Sequence, residues 1–235
     1  MRLYILRHAT PDYAADALTP AGHAEARALA GRLAGEGLTD LYSSPMGRAR
    51  QTMQYTADLT GLPCAVEEWP AELMDVRADD PFLSRPPHVF DLSGELLRRH
   101  APLPMLDNWH TFPPYDFPEV RARVEAIQAG SDDFLARHGY VRDGGLYRIE
   151  RPNRRRLAVF CHNGAGLAWL AHLLAVPVSL MWVGFYLHPA SITTVLFDER
   201  NERYATPRCL GLGDVGHLVA AGLALNPVGI KANYE

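Results

Sequence analysis

No apolar run in this sequence approaches the roughly 18 residues that a membrane-spanning helix needs, so no membrane partner is expected. A basic stretch followed by an apolar one is also missing from the start. The first residues run directly into a short strand pattern, and no export leader is expected. Cysteine is scarce: Cys64, Cys161 and Cys209 give an odd count with no metal-ligand spacing. That usage fits buried thiols in a reducing compartment better than a disulfide framework, which makes the cytoplasm the expected location. Surplus positive charge is absent as well, since the formal net charge is −4 and the pI near 6.2. A nucleic-acid partner is therefore not expected. The one basic cluster, Arg151, Arg154, Arg155 and Arg156, leads straight into an apolar strand pattern and reads as its solvated approach.

What is present is ordinary globular material: 235 residues, 48% hydrophobic and 21% charged, without repeats or low-complexity tracts. Leu3–Leu6 is a short apolar run of the kind found in buried parallel strands, and it ends at Arg7-His8. Thr19 as a cap and Pro20 at the first position predict a helix to Leu33, stopped by Gly35 and Gly37. A strand is expected over Leu38–Tyr42, a helix from Met46 to Leu59, and a third strand over Ala65–Trp69. This alternation predicts an α/β fold, a three-layer α/β/α sandwich with a mostly parallel central sheet. From Pro81 to Pro118 prolines and aromatics interrupt every periodic pattern. A helix is expected over Glu119–His138 and a short strand near Leu146–Ile149. The whole stretch from about 76 to 150 reads as a cap inserted into one domain spanning 1–235. The core pattern resumes with a strand over Leu157–Cys161, a helix to Leu174, and a strand pair over Ile192–Phe197 and Tyr204–Leu210.

Two histidines stand at matching places. His8 ends the first strand and His162 ends the strand Leu157–Cys161, each followed by small residues and a helix-forming stretch. Ligands of open α/β sheets bind at the carboxyl ends of the strands, so neighbouring strands would bring both imidazoles to one crevice. Arg48 falls at the start of the second helix, where a cation opposes the helix dipole unless an anion lies there. Guanidinium groups grip phosphate oxygens in pairs, so Arg7, Arg48, His8 and His162 together point to a phosphate site.

These same residues carry a family resemblance. Leu6-Arg7-His8-Ala9-Thr10, Leu18-Thr19-Pro20-Ala21-Gly22, the run from Ser43-Ser44-Pro45 to Arg48-Ala49-Arg50-Gln51-Thr52, and His162-Asn163-Gly164 occur in the order found in the histidine phosphatase (phosphoglycerate mutase-like) superfamily. The sequence resembles that superfamily over roughly residues 1–75 and 155–215. The resemblance implies that His8 attacks phosphorus and becomes a phosphohistidine, while Arg7, Arg48 and His162 hold the phosphoryl oxygens. It places the general acid after the second helix and the next strand, which selects Glu72, with Glu68 and Asp75 as fallbacks. Ala9 and Asn163 replace the usual glycines, and the backbone N–H of Asn163 is kept as a phosphate-binding group.

The implied function is hydrolysis of a phosphate monoester, a small phosphorylated substrate, without metal or organic cofactor. Two alternatives stand beside it: a mutase-type phosphotransferase and a non-catalytic phosphate-binding protein. The mutase branch carries a Ser or Thr three residues after the nucleophile and an Asn three further on. Pro11 and Ala14 occupy those positions here.

Overall fold

Alternate residues of the first strand face opposite hydrophobic cores, and this places the strand at the middle of the molecule. In β1 (Arg2–Arg7), Leu3 and Ile5 join one core while Tyr4 and Leu6 join the other. The computed structural model describes residues 1–230. After β1 come a small hairpin, β2 (Pro11–Asp12) and β3 (Ala17–Leu18), then helix α1 (Pro20–Ala34). Next are β4 (Asp40–Ser43), α2 (Gly47–Thr60) and β5 (Cys64–Val66). A long connection holding the short helix α3 (Gly94–Arg98) leads to α4 (Pro118–Arg137) and the hairpin β6 (Tyr140–Asp143) and β7 (Leu146–Ile149). The chain continues through β8 (Arg156–Cys161), α5 (Asn163–Leu174), α6 (Val178–Gly184), β9 (Ile192–Asp198), β10 (Tyr204–Asp214) and α7 (Gly216–Ala220).

Eight strands form one sheet in the order β5-β4-β8-β1-β9-β10-β7-β6. The pairs β5–β4, β4–β8 and β8–β1 are parallel, and every pair beyond β1 is antiparallel. Followed strand by strand, only β9 and β7 run against β1, so the sheet is mixed but mostly of one direction. The register pairs Leu3 with Leu157 and Arg7 with Cys161. His8 and His162 therefore leave the sheet side by side, as the strand pattern predicted.

One face of the sheet is covered by α1, α2 and α7, whose Leu29, Met53 and Leu218 pack on Tyr4, Leu6, Ala158 and Phe160. The other face is covered by α4, α5 and α6, with Trp169 and Trp182 packed among Leu3, Ile5, Val159 and Phe134. Helix α5 is apolar on every side because it lies between the sheet and other helices. Met181 and Trp182 are core residues, whereas Phe185 is exposed.

Within the stretch read as a cap, residues 118–149 belong to the layers themselves: α4 packs on α5, and the β6–β7 hairpin extends the sheet edge through β10. The pattern missed this because β6 is partly polar and its hairpin reads as a Gly turn. The segment outside the layers is shorter, about 76–117. Its Trp109 and Tyr115 pack edge-on and tilted against Trp182. The Arg155 side chain pairs with Asp40 at the N-terminal end of β8, the opposite end from His162. Among the described residues no helix is long and apolar enough to cross a membrane.

Candidate active site

The crevice at the carboxyl ends of β1 and β8 is built by loops that the backbone holds tightly. Behind His8, the Thr10 N–H and hydroxyl both donate to Glu25 at 2.7 Å. The Thr19 hydroxyl donates to the Thr10 carbonyl at 3.1 Å and accepts from the Gly22 N–H at 3.0 Å, capping α1. Gly22 lies so close that a Cβ there would sit 2.1 Å from the Thr10 carbonyl oxygen. From α2, the Gln51 amide oxygen accepts from Leu18 N–H and the Thr52 hydroxyl accepts from Ala9 N–H. Thr10, Thr19, Gln51 and Thr52, drawn from three of the sequence motifs, thus fasten the loop that carries His8.

His8 is 2% exposed, and its Nδ1 lies 2.7 Å from the Ala9 carbonyl oxygen. A carbonyl only accepts, so Nδ1 carries the proton and Nε2 keeps its lone pair. The Arg48 Nε donates to that Nε2 at 3.2 Å. Burial, then Arg7 and Arg48, lower the His8 pKa well below its ordinary value. His162 is wholly buried, with its ring centroid 5.1 Å from that of His8. Burial first, then His8 and both arginines, depress its pKa as well. The Ser44 hydroxyl accepts from Met46 N–H at 3.2 Å and lies 2.6 Å from His162 Nε2. His162 Nδ1 has no partner among the described residues.

Both arginines are held by groups remote in the chain. Helix α2 has no cap of its own at Met46; instead the Asp16 carboxylate accepts from Gly47 N–H and Arg48 Nη1, both at 2.6 Å. Asp16 has a φ of 47°, and a Cβ on Gly47 would come within 2.3 Å of its carbonyl. Arg7 donates to the Leu187 carbonyl at 2.5 Å and to the Val228 carbonyl at 3.2 Å, leaving its buried Nε without a partner among the described residues. The Asn163 side chain in turn accepts from Leu187 N–H at 3.0 Å. Replacing the usual glycine thus adds a brace beneath the peptide that holds Arg7. The tail reaches back too: Asn226 donates to Thr10, and Tyr186 donates to the Val228 carbonyl at 2.7 Å.

Glu72 is buried and caps α5 from a distance: its carboxylate accepts from Gly164 N–H at 3.0 Å, Ala165 N–H at 2.8 Å and Leu73 N–H at 3.3 Å. Burial raises its pKa, against the pull of those N–H groups and of Arg7. Of the two fallbacks, Glu68 is exposed, and Asp75 is exposed and paired with Arg123.

A cavity of about 310 Å³ gathers Arg7, His8, Arg48, Glu72 and Asn163, with Tyr13, Met74, His88, Phe90, Asp91, Val228 and Gly229 completing its wall. His162 is not on that wall; it lies behind His8. The aromatics Trp109, Phe112, Tyr115 and Phe117 are absent from the wall, which Met74 and Phe90 line instead. Asp16, His88 and residues 226–229 carry no sequence signal for the site, and Ser44 stands in a motif without any sign of its contact with His162. For Asp16 the uncapped start of α2 was the available clue. Among the described residues no group of three or more His, Cys, Asp or Glu could hold a metal ion.

Comparison with known proteins accords with the motifs. The model of the histidine phosphatase superfamily (branch 1) matches residues 3–75, the segment that carries Arg7, His8, Arg48 and Glu72. No curated protein matches the chain. A phosphoserine phosphatase mutant from Entamoeba histolytica, solved with phosphoserine, is 20% identical at a TM-score of 0.59, over 92% of this chain and 98% of that one. A mycobacterial glucosyl-3-phosphoglycerate phosphatase is 22% identical at 0.53, over 89% of this chain and 97% of the other. The protein YhfR of Bacillus stearothermophilus is 18% identical at 0.59, over 92% and 98%. The resemblance to the histidine phosphatase superfamily is thus found again in the family match and in the fold of these neighbours.

Proposed function

We propose that this chain is a phosphomonoester hydrolase that transfers the phosphoryl group of a small substrate to His8 and then to water. One observation carries the reading. In a single buried crevice an imidazole whose unprotonated Nε2 accepts from Arg48 stands beside two permanent cations, and the buried Arg7 Nε donor has no acceptor among the described residues. A phosphoryl group would supply what that arrangement lacks: negative oxygens.

In the first step His8 Nε2 bonds to phosphorus as the ester P–O bond breaks. Arg7 and Arg48 balance the charge on the equatorial oxygens, which matters most in a loose transition state. Protonated Glu72 gives its proton to the leaving alkoxide, and burial favours that protonated form. In the second step the Glu72 carboxylate takes a proton from water while the water oxygen attacks phosphorus. The P–N bond breaks and orthophosphate leaves. His162 supports the transfer from behind, its Nε2 held 2.6 Å from the Ser44 hydroxyl. Two structural neighbours, a phosphoserine phosphatase and a glucosyl-3-phosphoglycerate phosphatase, act by name on this class of substrate.

The test is release of phosphate from p-nitrophenyl phosphate, with and without chelator, beside His8→Ala. Turnover should survive chelation and drop about 10⁴-fold or more in the variant, as loss of a nucleophile does. Turnover that His8→Ala retains would sink the reading. Isomerisation of a phosphoglycerate without phosphate release would replace it with the mutase.

A further inference from the structure

Arg48 meets its surroundings through all three guanidinium nitrogens. Its Nε donates to His8 Nε2 at 3.2 Å, its Nη1 to the Asp16 carboxylate at 2.6 Å and its Nη2 to the Met46 sulfur at 3.0 Å. The group is planar and stiff, so fixing one nitrogen aims the others. Sulfur is a weak acceptor, and the His8 lone pair has to leave Nε when it turns to phosphorus. The ion pair with Asp16 is therefore the contact that can keep the guanidinium plane in place through the reaction.

Asp16 is set against α2 by both its side chain and its backbone. Its carboxylate also accepts from Gly47 N–H, and its carbonyl oxygen lies where a Cβ on Gly47 would come within 2.3 Å. Its φ of 47° falls in the left-handed region, which aspartate and asparagine enter more readily than other side chains. The turn that carries it is held by Asp12, whose carboxylate accepts from Ala14 N–H and Ala15 N–H at 3.0 and 3.2 Å. From the same turn the Tyr13 ring centre lies 5.4 Å from the Arg48 guanidinium carbon. Capping α2 does not require this arrangement, since a serine or aspartate in place of Met46 would serve the helix start locally. A carboxylate beside a phosphate-binding arginine also repels the phosphate. The anion weakens attraction for the substrate, and what it provides is orientation.

We propose that Asp16 is a positioning residue for phosphoryl transfer, acting through Arg48. In the free protein the Arg48 Nε–H covers the His8 lone pair. On the phosphatase reading above, that N–H passes to an equatorial phosphoryl oxygen as His8 attacks, while Nη1 stays on Asp16. The arginine then needs no reorganisation at the moment of reaction, which is what makes fixed charge effective there.

The test compares Asp16→Asn with the wild-type full chain on p-nitrophenyl phosphate, with inorganic phosphate as the competing ligand. Asparagine suits the left-handed backbone and keeps an oxygen for the Gly47 N–H, but gives up the ion pair. The expected result is a split. kcat falls about 10- to 100-fold as Arg48 loses its aim, while phosphate inhibits as strongly as before or more so, because an anion has been removed from its neighbourhood. Asp16→Glu should restore part of kcat. In an Arg48→Lys background, which lacks the planar fork, Asp16→Asn should change kcat by no more than about twofold. Asp58→Asn removes the same charge from an exposed place on α2 and should alter neither quantity. The proposal is overturned if Asp16→Asn keeps its kcat, or if phosphate affinity falls in step with kcat and melting temperature, as loss of a cap alone would cause. It is overturned equally if the losses from Asp16→Asn and Arg48→Lys simply add. A His8→Ala variant with wild-type turnover sinks the phosphatase reading whatever Asp16 does, and an inactive His8→Ala beside an undiminished Asp16→Asn sinks this inference alone. Absence of turnover in the wild type sinks both.

Discussion

At Glu72 two demands meet in one carboxylate. Three backbone N–H groups hold it at the start of α5, which favours the ionised form, while complete burial favours the protonated one. Glu72→Gln separates these demands. A glutamine turns an N–H₂ group toward backbone donors, so the variant should unfold about 1–3 kcal/mol more easily in denaturant titrations. Catalytically it should slow hydrolysis of alkyl phosphates far more than of p-nitrophenyl phosphate, whose leaving group needs no proton. Equal slowing of both would reduce Glu72 to a structural cap. The family resemblance selects Glu72 only by its place after β5, and Glu68 and Asp75 stand nearly as close. Burial against α5 sets Glu72 apart from both, and no local pattern encodes that.

The elements make sense of motif residues that carry no chemistry. Helices α1 and α2 do not merely follow their strands; they fasten the His8 loop through Thr19, Gly22, Gln51 and Thr52. Gly22→Ala should therefore cost more than its place in an ordinary helix suggests. The backbone of Thr10 stands where the new methyl group would go, and overpacking of this kind typically costs about 1–3 kcal/mol. Thermal denaturation should show that loss together with reduced turnover, because Thr10 adjoins Ala9 and His8. Gly31→Ala, where nothing lies within 4 Å, is the matched control on the same helix. The start of α1 was legible because Thr19-Pro20 is a local signal. The β6–β7 hairpin was misassigned to the cap because its place in the sheet depends on pairing with β10, a partner some sixty residues on.

For the molecule as a whole, buried histidines link activity and stability to pH. His8 and His162 are held neutral by burial beside two arginines, and His138 is lowered to about 4 by its own burial. Each has a folded pKa below its unfolded value, so the unfolded chain binds more protons as the solution is acidified. The stability they contribute is present above about pH 6.5 and is lost as pH falls below it. Melting temperature should accordingly drop from pH 7 toward pH 5. Activity should follow another course: kcat/KM should persist well below pH 6.5, since neutral His8 survives there, and decline at higher pH as Glu72 loses its raised-pKa proton. An acid limb of kcat/KM at the ordinary histidine pKa would contradict the buried, cation-flanked setting of His8.

By itself the sequence determined what local chemistry can express: the apolar runs, the caps, the glycines, and the types of residue that bind phosphate. It therefore placed His8, Arg7, Arg48 and His162 at strand and helix ends. Which of these ends meet was decided only by the tertiary structure, because the pairing of β1 with β8 joins residues about 150 apart. The same holds for Asp16 capping α2, Glu72 capping α5, Asn163 bracing Leu187, and the tail carbonyl of Val228 on Arg7. Each satisfies a buried donor with an acceptor remote in the chain. Hydrogen-bond demand is written in sequence, but its satisfaction in a packed interior is a property of the fold.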